Sequence, residues 1–485
     1  MKIKYFAPSC LHYSYRRHAW REKIIIGVLG LVFNIAIIGV SFAQTKEKLA
    51  SPSNFSLKQC IDYALQNQYS LKNATINEAI ANEKVGEVTA AGLPQINGSI
   101  QFTHNDPLRR MFGVGNGSPN FIAGKVVPDG VVFAIPNIFQ LANGGDATLT
   151  ISQLLFSSSY IIGLQAAKTY KELSSKAGEQ SKIQVIEAVT KAYFMVLINK
   201  ERLILFDKNV SRLDSLLTQT KIMNKNGFVE NIDVSRIQVT YNNISTEREK
   251  FANLLLLSEA LLKFQMSMTL NTELILSEKI SDYKVERPLG ENQQKSSYSK
   301  RIEYSLLESQ KKLQLLDYKK NKAAYLPTLA AFANMGYFSQ SPKFDFISKN
   351  NGWFNYGLFG ITMNVPIFDG LGQHHRISQS RLNLQITENN LSTIEQTIDL
   401  QIRVAELTLK NSINGLEFQK ENIELAKEVA RVTKIKYQEG IGTSLEVTAA
   451  ESSLVEAQTN YYNALYDALI AKIDFEKANG ELTKK

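Results

Sequence analysis

Two stretches of this chain repeat one another, and the distance between them excludes most architectures. Lys221-Ile222, Gly227 and Asp233-Val234 recur as Lys434-Ile435, Gly440 and Glu446-Val447, each pair 213 positions apart. Leu154-Leu155-Phe156 answers to Pro366-Ile367-Phe368, and Ala91-Gly92-Leu93-Pro94 answers to Ala324-Tyr325-Leu326-Pro327. Solenoid units repeat every ~20–50 residues, so a period of this size marks a duplicated half-protein. The two copies are expected over 44–297 and 298–485, each supplying equivalent parts to one pseudo-symmetric object.

The first 43 residues are expected to lie outside that object. Lys2, Lys4, Arg16, Arg17, Arg21 and Lys23 form a basic leader, Ile24 to Val40 is apolar except for Asn34, and Ser41-Phe42-Ala43 supplies small residues for cleavage before Gln44. This pattern reads as a cleaved secretory signal peptide. The leader carries +5 of the formal +9, which leaves the remainder only mildly basic and removes any motive for nucleic-acid binding. Cys10 leaves with the leader, so Cys60 has no intramolecular partner for a disulfide. No later stretch resembles a transmembrane helix. An exported chain of this kind enters a membrane only as a closed β-barrel.

Each half follows one plan. Ser56-Leu57-Lys58-Gln59 is a capping box that opens a helix running, with a break or two, to about Gly92. The alternation Ser99-Ile100-Gln101-Phe102-Thr103 predicts a strand, residues 105–146 read as a long loop rich in Gly, Asn, Pro and aromatics with room for a short element inside, and Thr148 to Ser152 alternates again. From Tyr160 to Asn226 there is no proline, which predicts a helix ~100 Å long at 1.5 Å per residue. Such a helix needs neighbours along its length, so a coiled-coil-like assembly follows. Gly227 ends it, and a second helix returns to about Met268. The second copy reads as a helix over 298–325, strands near 329–338 and 359–365, a long helix over 371–438, and a return from Thr443 to Asn479.

Four strands of about ten residues suit a tilted membrane crossing. In the last, Phe359, Ile361, Met363 and Val365 alternate with Gly360, Thr362 and Asn364, as a wall between lipid and water requires. Four strands do not close a barrel, so several chains must contribute. No phosphate-binding loop, nucleophile elbow or zinc spacing appears, so neither an enzyme nor a cofactor is expected. His374 and His375 are adjacent and point to different helix faces, which argues against a metal site.

With its two-fold repeat, Leu-Pro before each first strand, Val365-Pro366-Ile367-Phe368-Asp369-Gly370, and Gly-x5-(Asp/Glu)-Val at both helix turns, the chain resembles the TolC-like outer-membrane efflux proteins over nearly its whole length. The resemblance implies a mainly α fold with a membrane β-barrel: a homotrimer with a twelve-stranded barrel, a long periplasmic α-helical barrel, and a mixed belt, here near 44–60, 270–297 and the C-terminus. It implies an outer-membrane exit duct for a tripartite efflux pump or type I secretion system. The partners would be a periplasmic adaptor, an inner-membrane transporter of RND or ABC type, and outer-membrane lipid. A soluble periplasmic coiled-coil adaptor or structural rod is the alternative; it explains the helices but not the strands.

The resemblance also assigns residues. Gly227, Val234, Gly440, Gly442 and Val447 would lie at adaptor-docking helix turns. Asp233 and Tyr437 would hydrogen-bond to hold the pore constriction shut, and Glu446 would contribute to an acidic ring there. An acid near a helix start also stabilises the positive end of the helix dipole, which competes as an explanation for Asp233 and Glu446. Two positions depart from the family pattern: a basic latch residue falls on Gly442 and a second acidic ring position on Ala449. Phe102, Tyr337, Phe338, Trp353, Phe354 and Tyr356 are candidates for an aromatic membrane girdle.

Overall fold

The computed structural model describes residues 54–120, 125–137, 140–285, 298–345 and 352–482. The expected signal peptide lies outside the described residues.

The chain opens with β1 (Asn54–Phe55), α1 (Leu57–Asn67) and α2 (Tyr69–Ala90), followed by β2 (Gln95–His104). Four short strands come next: β3 (Arg110–Val114), β4 (Pro119–Asn120), β5 (Lys125–Val126) and β6 (Val132–Pro136). Then follow β7 (Asn143–Phe156), α3 (Ser158–Lys225), α4 (Asn231–Gln265) and β8 (Ile275–Leu276). The second half repeats the plan with α5 (Ile302–Ala323), β9 (Thr328–Ser341), β10 (Phe354–Asn364), α6 (Gly372–Gln438) and α7 (Ser444–Ala478).

Local chemistry explains the boundaries. Ser56 and Gln59 form the expected capping box, with Ser56 N donating to Gln59 Oε1 at 2.8 Å. Ser157 starts α3 by accepting from Tyr160 N at 3.2 Å. The segment 105–142 is more structured than its Gly/Pro content predicts. β3 pairs antiparallel with β6, and β4 with β5. These strands are two to five residues long and show no polar/apolar alternation, so the sequence pattern does not mark them.

The main sheet has the order β10-β9-β7-β2 and is antiparallel throughout, with β2 and β10 at its edges. Its register sorts the side chains. Ile96, Ile100, Leu149, Ile151, Met335, Phe359, Ile361 and Met363 share one face. Asn97, Ser99, Gln101, Asp146, Thr148, Thr150, Asn334 and Thr362 share the other. Phe359 is 87% exposed and Ile361 67%, so the apolar face lies bare in the single chain.

The girdle expectation needs a correction. Phe102 and Tyr337 fall on the apolar face, but Phe338, Phe354 and Tyr356 fall on the polar one, because neighbouring strand residues point oppositely. Phe338 packs against both Phe354 and Tyr356, each with ring centroids 6.0 Å apart.

Below the sheet, α3 folds back on α4 and α6 on α7. The largest core sits where β1 pairs in parallel with β8. Phe55, Cys60, Tyr193, Phe194, Leu197, Leu262, Met266, Leu276 and Leu482 meet there. Glu278 ties this belt together, accepting from Leu57 N at 3.0 Å, Tyr193 Oη at 2.7 Å and Tyr283 Oη. A second core runs along the first hairpin, with Phe206 stacked on Phe251 at 4.7 Å. Among the described residues, no helix is long and apolar enough to cross a membrane.

Candidate functional site

The two helix turns have the same construction. At the first, Gly227 takes φ +80° and Phe228 N donates back to Met223 O at 2.9 Å. At the second, Gly440 takes φ +75° and Ile441 N donates to Lys436 O at 3.0 Å. Both are left-handed helix caps that glycine adopts without a Cβ clash. Gly442 has a different reason: a Cβ there would stand 3.0 Å from Tyr437 N. The turn leaves little room for the basic side chain that the family pattern places at this position.

Both acids sit in the first turn of the returning helix. Asp233 Oδ2 accepts from Glu230 N at 3.2 Å, and Glu446 Oε2 from Thr443 N at 3.1 Å. Each therefore has the helix-start role that their placement allowed. Glu446 is exposed, Val234 half-buried and Val447 buried.

Asp233 and Tyr437 each have a partner other than the one the resemblance implied. The second oxygen of Asp233, Oδ1, accepts from Ser444 Oγ, with Arg236 Nη1 at 3.5 Å. The ring of Tyr437 is buried among Leu213, Leu216 and Val447, and its hydroxyl meets Thr220 Oγ1 at 3.3 Å. Tyr437 lies on the inward face of α6, while Asp233 turns toward the start of α7. Both bonds nevertheless join the two hairpins of one chain.

The join continues away from the turns. Gln438 Nε2 donates to Gln219 Oε1 at 3.2 Å, and Asn209 Nδ2 to Gln458 Oε1 at 3.0 Å. Arg212 Nη2 stands 2.7 Å from Glu451 Oε2, and Arg202 reaches Asn463. Sequence reasoning missed these residues. Their signal was a spacing: Ser444, Glu451 and Gln458 lie seven apart, all three buried. A polar residue at a heptad position of a coiled coil faces a partner helix.

At the other end, Asp146 Oδ2 accepts from Tyr356 Oη at 3.2 Å on the polar sheet face, and Thr148 Oγ1 lies 2.6 Å from that hydroxyl. The rings of His374 and His375 lie edge to face, 5.5 Å apart. Among the described residues, no group of three His, Cys, Asp or Glu side chains is placed to hold a metal.

A sheet with one lipid-compatible face, set on helices of this length, defines an outer-membrane channel with a periplasmic helical extension. Residues 60–264 and 305–481 match the family model described as outer membrane efflux protein, and the chain belongs to that family. It is 20% identical over 435 residues to the outer membrane protein TolC of Salmonella enteritidis, covering 89% of this chain and 83% of that protein. Identity to TolC of Vibrio cholerae is 21% over 350 residues, covering 70% of this chain and 77% of that one. Among solved structures, CusC superposes with a TM-score of 0.71 at 15% identity, covering 89% of this chain and 95% of CusC. The open-state MtrE outer membrane channel of Neisseria gonorrhoeae does so at 0.69 and 16% identity, covering 88% and 90%. The protein is thus an outer-membrane efflux duct and not an enzyme.

Proposed function

We propose that this chain is the exit duct of a tripartite efflux pump or a type I secretion system. It works as a homotrimer that docks on a periplasmic adaptor and receives cargo from an inner-membrane transporter of RND or ABC type. One observation carries the reading: one face of the sheet is apolar along its length, the other gathers most of the Asn, Gln, Ser and Thr side chains beside Phe332, Phe338, Phe354 and Leu358, and both edges are unpaired within the chain. An open edge is not tolerated in lipid, so the edges must pair with other chains. With four antiparallel strands, β10 of one copy runs antiparallel to β2 of the next, and closure keeps one pattern all round. Three copies give twelve strands, wide enough for an aqueous pore.

In this reading the helix turns form the periplasmic tip. Gly227, Val234, Gly440, Gly442 and Val447 shape the surface that meets the adaptor, where Phe228, Ile232, Ile441 and Leu445 offer exposed apolar contact. Asp233, Tyr437 and Glu446 belong to the constriction, with Asp233 held by Ser444 and Tyr437 by Thr220. The energy for transport comes from the transporter, and cargo selection lies mainly there.

The test is fractionation, cross-linking and reconstitution. The protein stays in the outer membrane after a salt wash, cross-links as a trimer, and conducts ions in planar bilayers. A monomer released by salt would sink the proposal.

A further inference from the structure

The four strands of the main sheet contain a single Asp, Glu, Lys or Arg, and it is Asp146. The register sets its place. Asp146 pairs with Phe338, and Phe338 with Phe354; in the next row on this face, Thr148 pairs with Gly336, and Gly336 with Tyr356. All of them lie on the face opposite Phe359 and Ile361. Asp146 is the fourth residue of β7, about 10 Å from its loop end.

The carboxylate sits in an aromatic setting. Phe338 meets both Phe354 and Tyr356, with ring centroids 6.0 Å apart in each case. Phe354 is 62% exposed and Phe338 40%. Gly336 lets the Tyr356 ring cross from β10 to β7, since a Cβ there would stand 3.0 Å from that ring. Across the gap Tyr356 Oη donates to Asp146 Oδ2 at 3.2 Å, and Thr148 Oγ1 donates to Oδ1. Two hydroxyls orient the carboxylate without neutralising it. No Lys or Arg of the described residues forms an ion pair with it, so lone pairs remain for a cation.

We propose that Asp146 and the rings of Phe338, Phe354 and Tyr356 form a transit site for hydrophobic organic cations, just inside the outer mouth of the duct. The inference rests on the trimeric barrel proposed above, in which this face lines the pore, and it adds a cargo class to that reading.

Charge and shape together select the occupant. A small inorganic cation holds a tight water shell that aromatic rings do not replace. A quaternary ammonium carrying an aryl group is weakly hydrated. It gains from the carboxylate, from the ring quadrupoles and from apolar contact at once. An organic anion is repelled by the carboxylate, and a neutral aromatic lacks the attraction of charge. The patch is also confined. On the neighbouring β2 and β7 the same face carries Asn97, Ser99, Gln101 and Thr150, which are polar and uncharged. A site on an open wall fills and empties readily, as conduction requires.

Ligand-observed NMR of the purified protein in detergent tests this, with benzyltriethylammonium as the probe and empty micelles as background. Saturation transfer to the benzyl protons is expected to fall several-fold for Asp146→Asn. It is expected to fall likewise for Phe338→Leu/Phe354→Leu, which keeps apolar bulk but removes two rings. On the wild-type protein, tetraethylammonium has the charge without the ring, and benzenesulfonate the ring with the opposite charge. Each is expected to give a signal several-fold weaker than the probe. Where Asp146→Asn fails to assemble, the double ring variant carries the test. A probe signal no stronger than that of benzenesulfonate, or an assembled variant that matches wild type, overturns this proposal alone. A protein that purifies as a monomer overturns the trimeric barrel and this proposal with it.

Discussion

Under the proposed reading of the helix turns as a gate, Ser444 would hold one end of it. Its hydroxyl donates to a carboxylate across the join between hairpins, and charge-assisted bonds of this kind are worth about 1.5–3 kcal/mol. Ser444→Ala and Asp233→Ala should each raise bilayer conductance, and the double variant should rise no further than Asp233→Ala alone. Additive effects would separate the two residues. In the belt, burial pushes the Glu278 carboxyl up, but hydrogen bonds from Tyr283, Leu57 and Tyr193 more than offset it, and it ends below the usual carboxylate range. Its contribution to stability is therefore present above the unfolded-state pKa and lost as pH falls through the lower folded-state value. Glu278→Gln should lower Tm at neutral pH and flatten the acid limb of a Tm–pH profile. Burial, with the Glu278 carboxylate as a smaller cause, pushes the neighbouring Cys60 thiol up to about 12. Cys60 should resist maleimide in the native protein and react only after unfolding. Asp233 was legible in the sequence because an acid six residues past a helix-ending glycine is a local pattern. Ser444, Glu451 and Gln458 were not, since a polar residue on a helix reads as solvated until the facing helix is known.

At the scale of elements, the long helices were legible because 67 residues without proline leave little else to form. The hairpin of β3 and β6 was hidden, because β6 (Val-Phe-Ala-Ile-Pro) has no polar residue to alternate with its apolar ones and Gly113 replaces a side chain in β3. The helix turns carry the clearest element-level prediction. Gly227 and Gly440 both hold positive φ, where an L side chain costs roughly 1–2 kcal/mol. Gly227→Val or Gly440→Val should lower Tm by a few degrees and weaken adaptor capture in a pull-down. The same change at Gly86, inside α2 with open space around it, should leave capture unchanged.

For the whole molecule, the bare apolar sheet face matters most. Phe359 projects from it at 87% exposure. A lysine on the lipid face near mid-membrane costs about 2–4 kcal/mol. Phe359→Lys should therefore reduce recovery in the outer-membrane fraction while far-UV circular dichroism keeps its helical signal. Recovery at wild-type levels would mean that this face does not meet lipid. The helices also limit how such a protein can evolve. α3 and α6 have 68 and 67 residues, and α4 and α7 have 35 each. Copies of a duplicated gene normally drift apart in length as insertions and deletions accumulate. These have not, although their outer loops differ, with 38 residues between β2 and β7 against 12 between β9 and β10. A deletion in one long helix would leave that hairpin short of the other at the tip and shift every heptad partner beyond it. Variants that change helix length should assemble only when both hairpins lose or gain the same whole heptads.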